Sequence, residues 1–386
     1  MPTLQPCPHF FSKTDSSTLK DIQTITSYLS HTYGAKCYVV GGAVRDYLLD
    51  EVCKDYDIEC FGIGVEDFEN AMAHLGAQGV GKSFFVYKYH QLDISLPRIE
   101  QKIAKGHQGF SVELAHEEKE ASRRRDFTVN ALMYDIDKKQ IVDYWRGLED
   151  VKHKVLRMVD GRAFIEDSLR VLRAMRFAAR LGFKIEKETC RLCQNIDLDD
   201  LPKERLFMEF EKMFTAKRLY YGLYYLFSLG IYEKLFGDKE GLKKQAFIAL
   251  SKKLQRAQPF FIENLRPYYF LFIARDYWGV DSVTILDLLA APNRYYKHII
   301  TTPLPEKITA AFVARASLKA GIVEYVGNYD AKVRELAEKL DVWGKPFDSG
   351  VSASDLMAKG YKGEALGREL ERLTQIKINA LQEKEV

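Results

Sequence analysis

The stretch from residue 37 to 61 constrains this chain most. A short apolar run, CYVV (37–40), ends in Gly41-Gly42, passes into AVRDYLLD and is followed by DYDIECF (55–61), where polar and apolar residues alternate. Period-two alternation marks a strand with one buried face, on which residues two apart lie about 7 Å from each other. Asp55, Asp57 and Glu59 are therefore expected on one face, and Tyr56, Ile58 and Cys60 in a core. Neighbouring carboxylates raise each other's pKa unless a cation neutralises them, and a hard divalent ion such as Mg²⁺ takes oxygen ligands. The alternative is a plain solvated acidic edge. Gly41-Gly42 weighs against it, because a strand ending on two glycines and opening a helix offers backbone amides and a positive helix end to a triphosphate. Arg45, one turn in, can add a charge-assisted contact. A phosphate cradle ahead of an acidic pair suits nucleotidyl transfer by two metals about 3.5–4 Å apart.

The rest of the chain divides in two. Residues 15–33 carry Leu19, Ile22, Ile25 and Leu29 at helical spacing, VEDFENAMAHL (65–75) is a second helix, and FFVYKYHQLDISLPR (84–98) is rich in strand formers. Residues 99–122 are polar and weakly patterned, which predicts a mobile loop or lid. α/β character resumes through RRRDFTVNALMYDI and QIVDYW, and from Phe164 onward one helical pattern follows another. With 386 residues, 47% of them apolar, the chain can bury more than one core. Its net charge of +3 neither demands nor excludes nucleic acid, so the placement of the positive charge decides. No run approaches the roughly 18 apolar residues of a membrane span, and MPTLQPCPHFFSKTDSS lacks the form of a secretory signal. Six cysteines are too sparse for a disulfide framework, so a reducing cytoplasm is expected.

GAQGVGKS (76–83) fits the P-loop spacing letter for letter. A P-loop needs a strand before it and a helix after it. Here a helical pattern precedes and an aromatic strand follows, so the segment is read as a glycine-rich turn, with a P-loop ATPase as the remote alternative.

GGAVRDYLLDEVCKDYDIECFG resembles the pattern GGxVRDxLLGxxxxDxDIExFG of the class II tRNA nucleotidyltransferase (CCA-adding) and bacterial poly(A) polymerase family. RRRDFTVNAL (123–132), DYWRGLEDV (143–151), EDSLRVLRAMRFAARLGF (166–183) and KERLFMEF (203–210) resemble further motifs of that family, in its order, so the likeness spans about residues 20–240. Asp50 replaces a glycine of the pattern at a helix end, where Asp tolerates a left-handed cap. The resemblance implies an α+β chain. A polymerase-β-like nucleotidyltransferase head with a small mixed sheet (1–152) would precede an all-α neck (153–215) and an all-α body and tail (216–386).

By the same resemblance Asp55 and Asp57 would hold Mg²⁺ in a two-metal site, and Asp93 would supply a third carboxylate, unless it is simply a solvent-facing strand residue. Gly41, Gly42 and Arg45 would hold the triphosphate, while Arg125, Asp126 and Asn130 would contact ribose and phosphates, with Asp126 also able to cap the helix of Asn130. Asp167 and Arg170, three apart on one helix, would match the edge of the incoming base, with Glu166 holding Arg170. An ordinary helix ion pair is the alternative. Arg170, Arg173, Arg176 and Arg180 share a stripe about 120° wide, facing either a ligand or paired acids.

The substrates implied are ATP, CTP and the 3′ acceptor end of tRNA, with no membrane and no protein partner. Basic clusters at SKKLQR (251–256), NRYYKH (293–298) and KVREL (332–336) could grip phosphates or simply be solvated. Tyr220, Tyr221, Tyr224 and Tyr225 have the spacing of a core, and the lone Cys190–Cys193 pair argues against structural zinc. No basic stretch of the poly(A) polymerase type stands at GKSFFVYKYH, which favours tRNA maturation. A 99–122 loop favours complete CCA addition or A addition over CC addition. A CC- or A-adding partial enzyme and a poly(A) polymerase are the alternatives, and no His-Asp pair marks an appended phosphohydrolase.

Overall fold

The computed structural model describes residues 1–53, 55–81, 85–102, 110–237, 244–278, 281–299 and 302–383. The chain forms two compact units, Met1–Arg205 with Ser228–Lys234, and Leu206–Phe227 with Leu235–Val386.

The first unit is built on strands β1 (Thr3–Pro6), β2 (Lys36–Val40), β3 (Tyr56–Phe61), β4 (Gln78–Gly81), β5 (Val86–Tyr89), β6 (Leu92–Ser95), β7 (Arg98–Lys102), β8 (Phe110–Leu114), β9 (Met133–Asp135), β10 (Gln140–Asp143), β11 (Val155–Leu156) and β12 (Lys184–Ile185). Its helices are α1 (Ser16–Tyr33), α2 (Gly42–Leu48), α3 (Val65–Leu75), α4 (Glu118–Arg123), α5 (Gly147–His153), α6 (Gly161–Phe164), α7 (Leu169–Leu181), α8 (Lys187–Gln194) and α9 (Lys203–Phe214), the last running on into the second unit. Eight strands make one mixed sheet in the order β1-β10-β9-β2-β3-β6-β5-β4, in which only the β3–β6 pairing is parallel. The α+β head with a mixed sheet, followed by helices, is the expected fold.

Helix α1 starts where the Asp15 carboxylate accepts the Thr18 N–H at 2.9 Å, and it ends at Gly34, whose φ of 68° is left-handed. Ile22, Ile25 and Leu29 are buried, and the helix packs on β2 and β6. Each such side chain removed from water contributes about 1.5–3 kcal/mol. Helix α3 closes on Gly76 (φ 74°), and strand β4 follows directly. The glycine-rich segment therefore ends a helix and opens a strand, the reverse of a P-loop; Lys82 and Ser83 lie outside the described residues. Asp50 has φ 60°, the left-handed cap expected of it.

Three expectations need correction. Strands β7 and β8 pair antiparallel and α4 follows, so much of 99–122 is ordered structure, with 103–109 outside the described residues. In β3 the burial is not alternate: Ile58, Glu59, Cys60 and Phe61 are all buried. The helix read from residue 166 begins only at Leu169, because the Asp167 side chain accepts the Leu169 N–H at 3.2 Å and ends the run on its N-terminal side.

The second unit is helical among the described residues, from Leu219–Ser228 to Gly363–Glu383. Of the tyrosine run only Tyr225 is buried, and Tyr224 is exposed. Arg334 donates to the carbonyls of Asn328 and Phe260, both at 2.7 Å, and Arg294 pairs with Glu211 at 2.5 Å, so these basic residues hold their own unit together. Cys190 and Cys193 form no disulfide, and burial pushes their thiol pKa values up to about 11 and about 12. No helix among the described residues is long and apolar enough to cross a membrane.

Candidate active site

A cavity of about 510 Å³ opens in the first unit where β2 gives way to α2 and where α7 passes beside them. It is lined by Gly41, Gly42, Arg45, Asp57, Arg125, Asp126, Asn130, Asp167, Arg170, Arg173 and Arg176, and also by Arg98, Arg124, Arg180 and Arg205. The glycine turn, an acidic strand residue and the α7 arginines thus come to one place, while Asp55 and Asp93 lie outside the lining.

Gly41 takes φ 72° and ψ −127°, which an L side chain resists, and a Cβ there would stand 3.1 Å from Arg125 Nη1 and 3.8 Å from Asp57 Oδ2. Its own N–H donates to the Leu132 carbonyl at 3.2 Å, so the amides left to an anion begin at Gly42. Asp57 on β3 stands opposite Asp93 on β6 in parallel register, and strand neighbours lie about 4.8 Å apart. The Asp57 pKa is raised, first by the desolvation of its crowded surroundings and then by Asp93, Glu59 and Asp55, against the pull of Arg125. Its own surface is nonetheless open. Lys88 sits 3.5 Å from Asp93, and Asp55 is exposed just ahead of the strand. No cluster of three or more His, Cys, Asp or Glu side chains is gathered around one point among the described residues. The Asp57–Asp93 pair offers oxygen ligands alone, which suits a hard divalent cation whose remaining ligands come from phosphate and water.

Glu59 turns out to be no third surface carboxylate. It is 2% exposed, and its Oε1 accepts from Arg124 Nη2 at 3.0 Å and Arg125 Nη2 at 2.8 Å. Arg45 is equally withdrawn at 1% exposed: Nε and Nη2 donate to Asp46 Oδ1 at 2.9 and 2.7 Å, and Nη1 donates to Asn130 Oδ1. Burial lowers its pKa while Asp46 raises it. Asn130 Nδ2 donates to Asp126 Oδ1 at 2.9 Å, which also accepts the Phe127 N–H at 2.8 Å. Asp126 Oδ2 takes Arg173 Nε at 2.7 Å and Nη2 at 2.6 Å. Burial alone would raise the Asp126 pKa, but Arg173 and Asn130 hold it at about 2. Asp126 does not supply the N-cap of the 3-10 turn Thr128–Asn130, whose N-cap is Phe127.

Helix α7 presents Arg173, Arg176 and Arg180 to the cavity, and the acids that receive two of them are Asp126 and Asp46. The arginine stripe therefore faces both a cavity and paired acids. Arg176 stacks 3.9 Å from the Phe177 ring centroid. Arg170 donates Nη1 to the Ala163 carbonyl and Nη2 to that of Arg124 at 2.7 Å, and not to Glu166 as the helix spacing suggested. Asp167 is half-buried and lies 3.9 Å from Arg205. Asp167 and Arg170 thus share the cavity wall without pairing as helix neighbours. Sequence reasoning passed over Asp46, Arg98, Arg124 and Arg205; Arg124 and Arg205 sat inside quoted motifs, RRRD and KERL, and only the fold turns them inward.

Residues 37–157 match the family model of the poly A polymerase head domain, and residues 182–242 that of the probable RNA and SrmB- binding site of polymerase A. The chain is 43% identical over 189 residues, 46% of its own length and 43% of the other's, to a Multifunctional CCA protein of Pasteurella multocida. It is 39% identical over 219 residues, 54% and 51% of the two chains, to one of Shewanella denitrificans. The chain spans about half the length of these curated relatives or less. Among solved structures it resembles a Thermotoga maritima CCA-adding enzyme complexed with tRNA, with TM-score 0.71, 22% identity, and 99% and 95% of the two chains covered. A Bacillus stearothermophilus CCA-adding enzyme in complex with CTP gives TM-score 0.70, 23% identity, and 95% and 94% coverage. The fold is that of these proteins, and the resemblance read from the motifs holds.

Proposed function

We infer that this chain, a relative of the tRNA nucleotidyltransferase and poly(A) polymerase family, adds C, C and A to the 3′ end of tRNA from CTP and ATP in the cytoplasm, releasing pyrophosphate without a nucleic-acid template. The observation that carries this reading is one cavity holding a glycine turn, the Asp57 carboxylate and a wall of arginines. Relatives about 40% identical over roughly half of the chain are named Multifunctional CCA proteins. A divalent ion such as Mg²⁺, held by Asp57 with Asp55 and Asp93, would lower the pKa of the attacking 3′-hydroxyl and balance charge on the phosphates.

The protein groups divide the remaining work. The turn at Gly42 and the guanidinium of Arg125 beside Gly41 receive the triphosphate, with Arg180 reaching in from α7. Asp126 and Asn130 already spend their side-chain bonds on Arg173 and Arg45, so they act on the nucleotide by fixing those arginines. Asp167, half-open beside Arg205, offers acceptors to a base edge, and Arg170 and Arg176 form the wall behind it.

The test is incorporation. Purified protein with tRNA lacking its CCA end, or with tRNA ending in CC, is given labelled CTP, labelled ATP, or both. Addition of two C and one A supports the reading. A alone, only on tRNA ending in CC, makes it an A-adding enzyme, and CC without A a CC-adding one. Long A tails on arbitrary RNA make it a poly(A) polymerase. ATP hydrolysis without RNA, and with no incorporation, overturns it altogether.

A further inference from the structure

We propose that Asp46, on α2, is a positioning residue that holds Arg180 for the triphosphate and so sets nucleotide affinity without touching base choice. The inference rests on the nucleotidyl-transfer reading above. Asp46 is 7% exposed. Its Oδ1 takes Nε and Nη2 of its neighbour Arg45, and its Oδ2 takes Nη2 of Arg180 at 2.8 Å, from a residue 134 positions later in the chain.

The place of that carboxylate in the network argues for more than stability. A continuous line of bonds runs Arg180–Asp46–Arg45–Asn130–Asp126–Arg173. Its two ends, Arg173 and Arg180, are seven residues apart on α7, which is two helical turns or about 10.5 Å. Asp126 and Asp46 thus tether two turns of one helix to the glycine turn of the head. Both tethered arginines line the cavity, and the Arg180 side chain is 42% exposed there, open to an anion. Because the Arg180 side of this ion pair is 42% exposed, water screens it and its contribution to folding is modest, whereas a guanidinium held in a fixed orientation loses less freedom when it meets a phosphate. Without the Asp46 charge, Arg45 and Arg180 face each other as like charges, and Arg180 swings toward solvent. The interaction serves whichever nucleotide is bound, because it addresses phosphates and not bases.

Steady-state kinetics with tRNA acceptors tests this in the full-length protein. Asp46→Asn is expected to raise the KM for CTP and for ATP together by roughly tenfold, the loss of one charge-assisted hydrogen bond. Its kcat should stay within about twofold, the signature of lost uniform binding. Asp46→Glu, which keeps the charge, should recover part of the affinity. Arg180→Gln alone, at a half-exposed position, should raise both KM values similarly, and the double variant should add nothing further, since the two residues act through one contact. A fall in melting temperature with unchanged KM overturns the proposal, and so does a change in the CTP-to-ATP preference. Equilibrium dialysis with labelled CTP separates the two levels: if the parent protein binds no nucleotide, the functional reading itself fails, whereas parent binding with undiminished Asp46→Asn binding sinks the positioning role alone.

Discussion

Two aspartates of the same cavity carry opposite electrostatic burdens, and this separates function from stability. Asp57 is pushed up, by desolvation and then by Asp93, Glu59 and Asp55. A carboxyl whose folded pKa lies above its unfolded one opposes folding at neutral pH, and that opposition fades as acid protonates it. Asp57→Asn should therefore abolish nucleotide incorporation while the protein melts no lower than its parent, and a lower melting temperature at pH 7 would count against this. Asp126 has the reverse sign. Held at about 2 by Arg173 and Asn130 from an ordinary 3.8, it favours folding above its unfolded pKa, and the benefit disappears as pH falls through about 2. The shift corresponds to on the order of 2 kcal/mol. Urea titrations should show Asp126→Asn weakened by about that amount at pH 7, with the gap to the parent closing as pH is lowered from about 4 toward 2.

Secondary structure around the site explains which of its parts could be read in the residues. The turn from β2 into α2 was legible because two glycines, a β-branched run and a helix pattern agree locally. Its tightness adds a prediction. Gly41→Ala forces an L residue into φ 72°, ψ −127° and brings a methyl to 3.1 Å from Arg125, so it should cost about 1–3 kcal/mol and disable nucleotide binding as well. Gly34→Ala is the control: its φ of 68° is also positive, but nothing lies within 4 Å, so melting should fall while KM stays at the parent value. Helix α7 was legible only in part. EDSLRVLRAM reads as an unbroken helix, yet Asp and Ser compete for backbone amides, and Asp167 takes that of Leu169 and starts the helix late. The spacing argument for an Asp167–Arg170 helix pair failed for that reason, although both still reach the cavity. Glu59 looked like a surface carboxylate because alternation reports one strand's faces and not what packs on them; Arg124 and Arg125, 65 and 66 residues away, bury it. Strand β1 pairs with β10 across most of the head, and no local pattern encodes such a partner.

Charge placement across the whole chain yields the last prediction. Nine arginines and three aspartates line the cavity, and the Asp46 and Glu59 carboxylates pair with four of those arginines, which leaves a net of four positive charges in a chain whose total is +3, so the residues elsewhere sum to about −1. The positive field is therefore focused in one concave place, where low-dielectric walls strengthen it and draw in anionic ligands. Nucleotide capture should then depend on ionic strength through the triphosphate, which CTP and ATP share, and not through the base. Raising salt from about 0.05 M to about 0.3 M shortens the screening length from roughly 14 Å to under 6 Å, less than the span of the cavity wall. The KM for CTP and the KM for ATP should climb severalfold and in parallel over that range, and inorganic triphosphate should compete with both at low salt. A flat response, or one confined to a single nucleotide, would place the binding energy in the base contacts and remove the arginine wall from its proposed role.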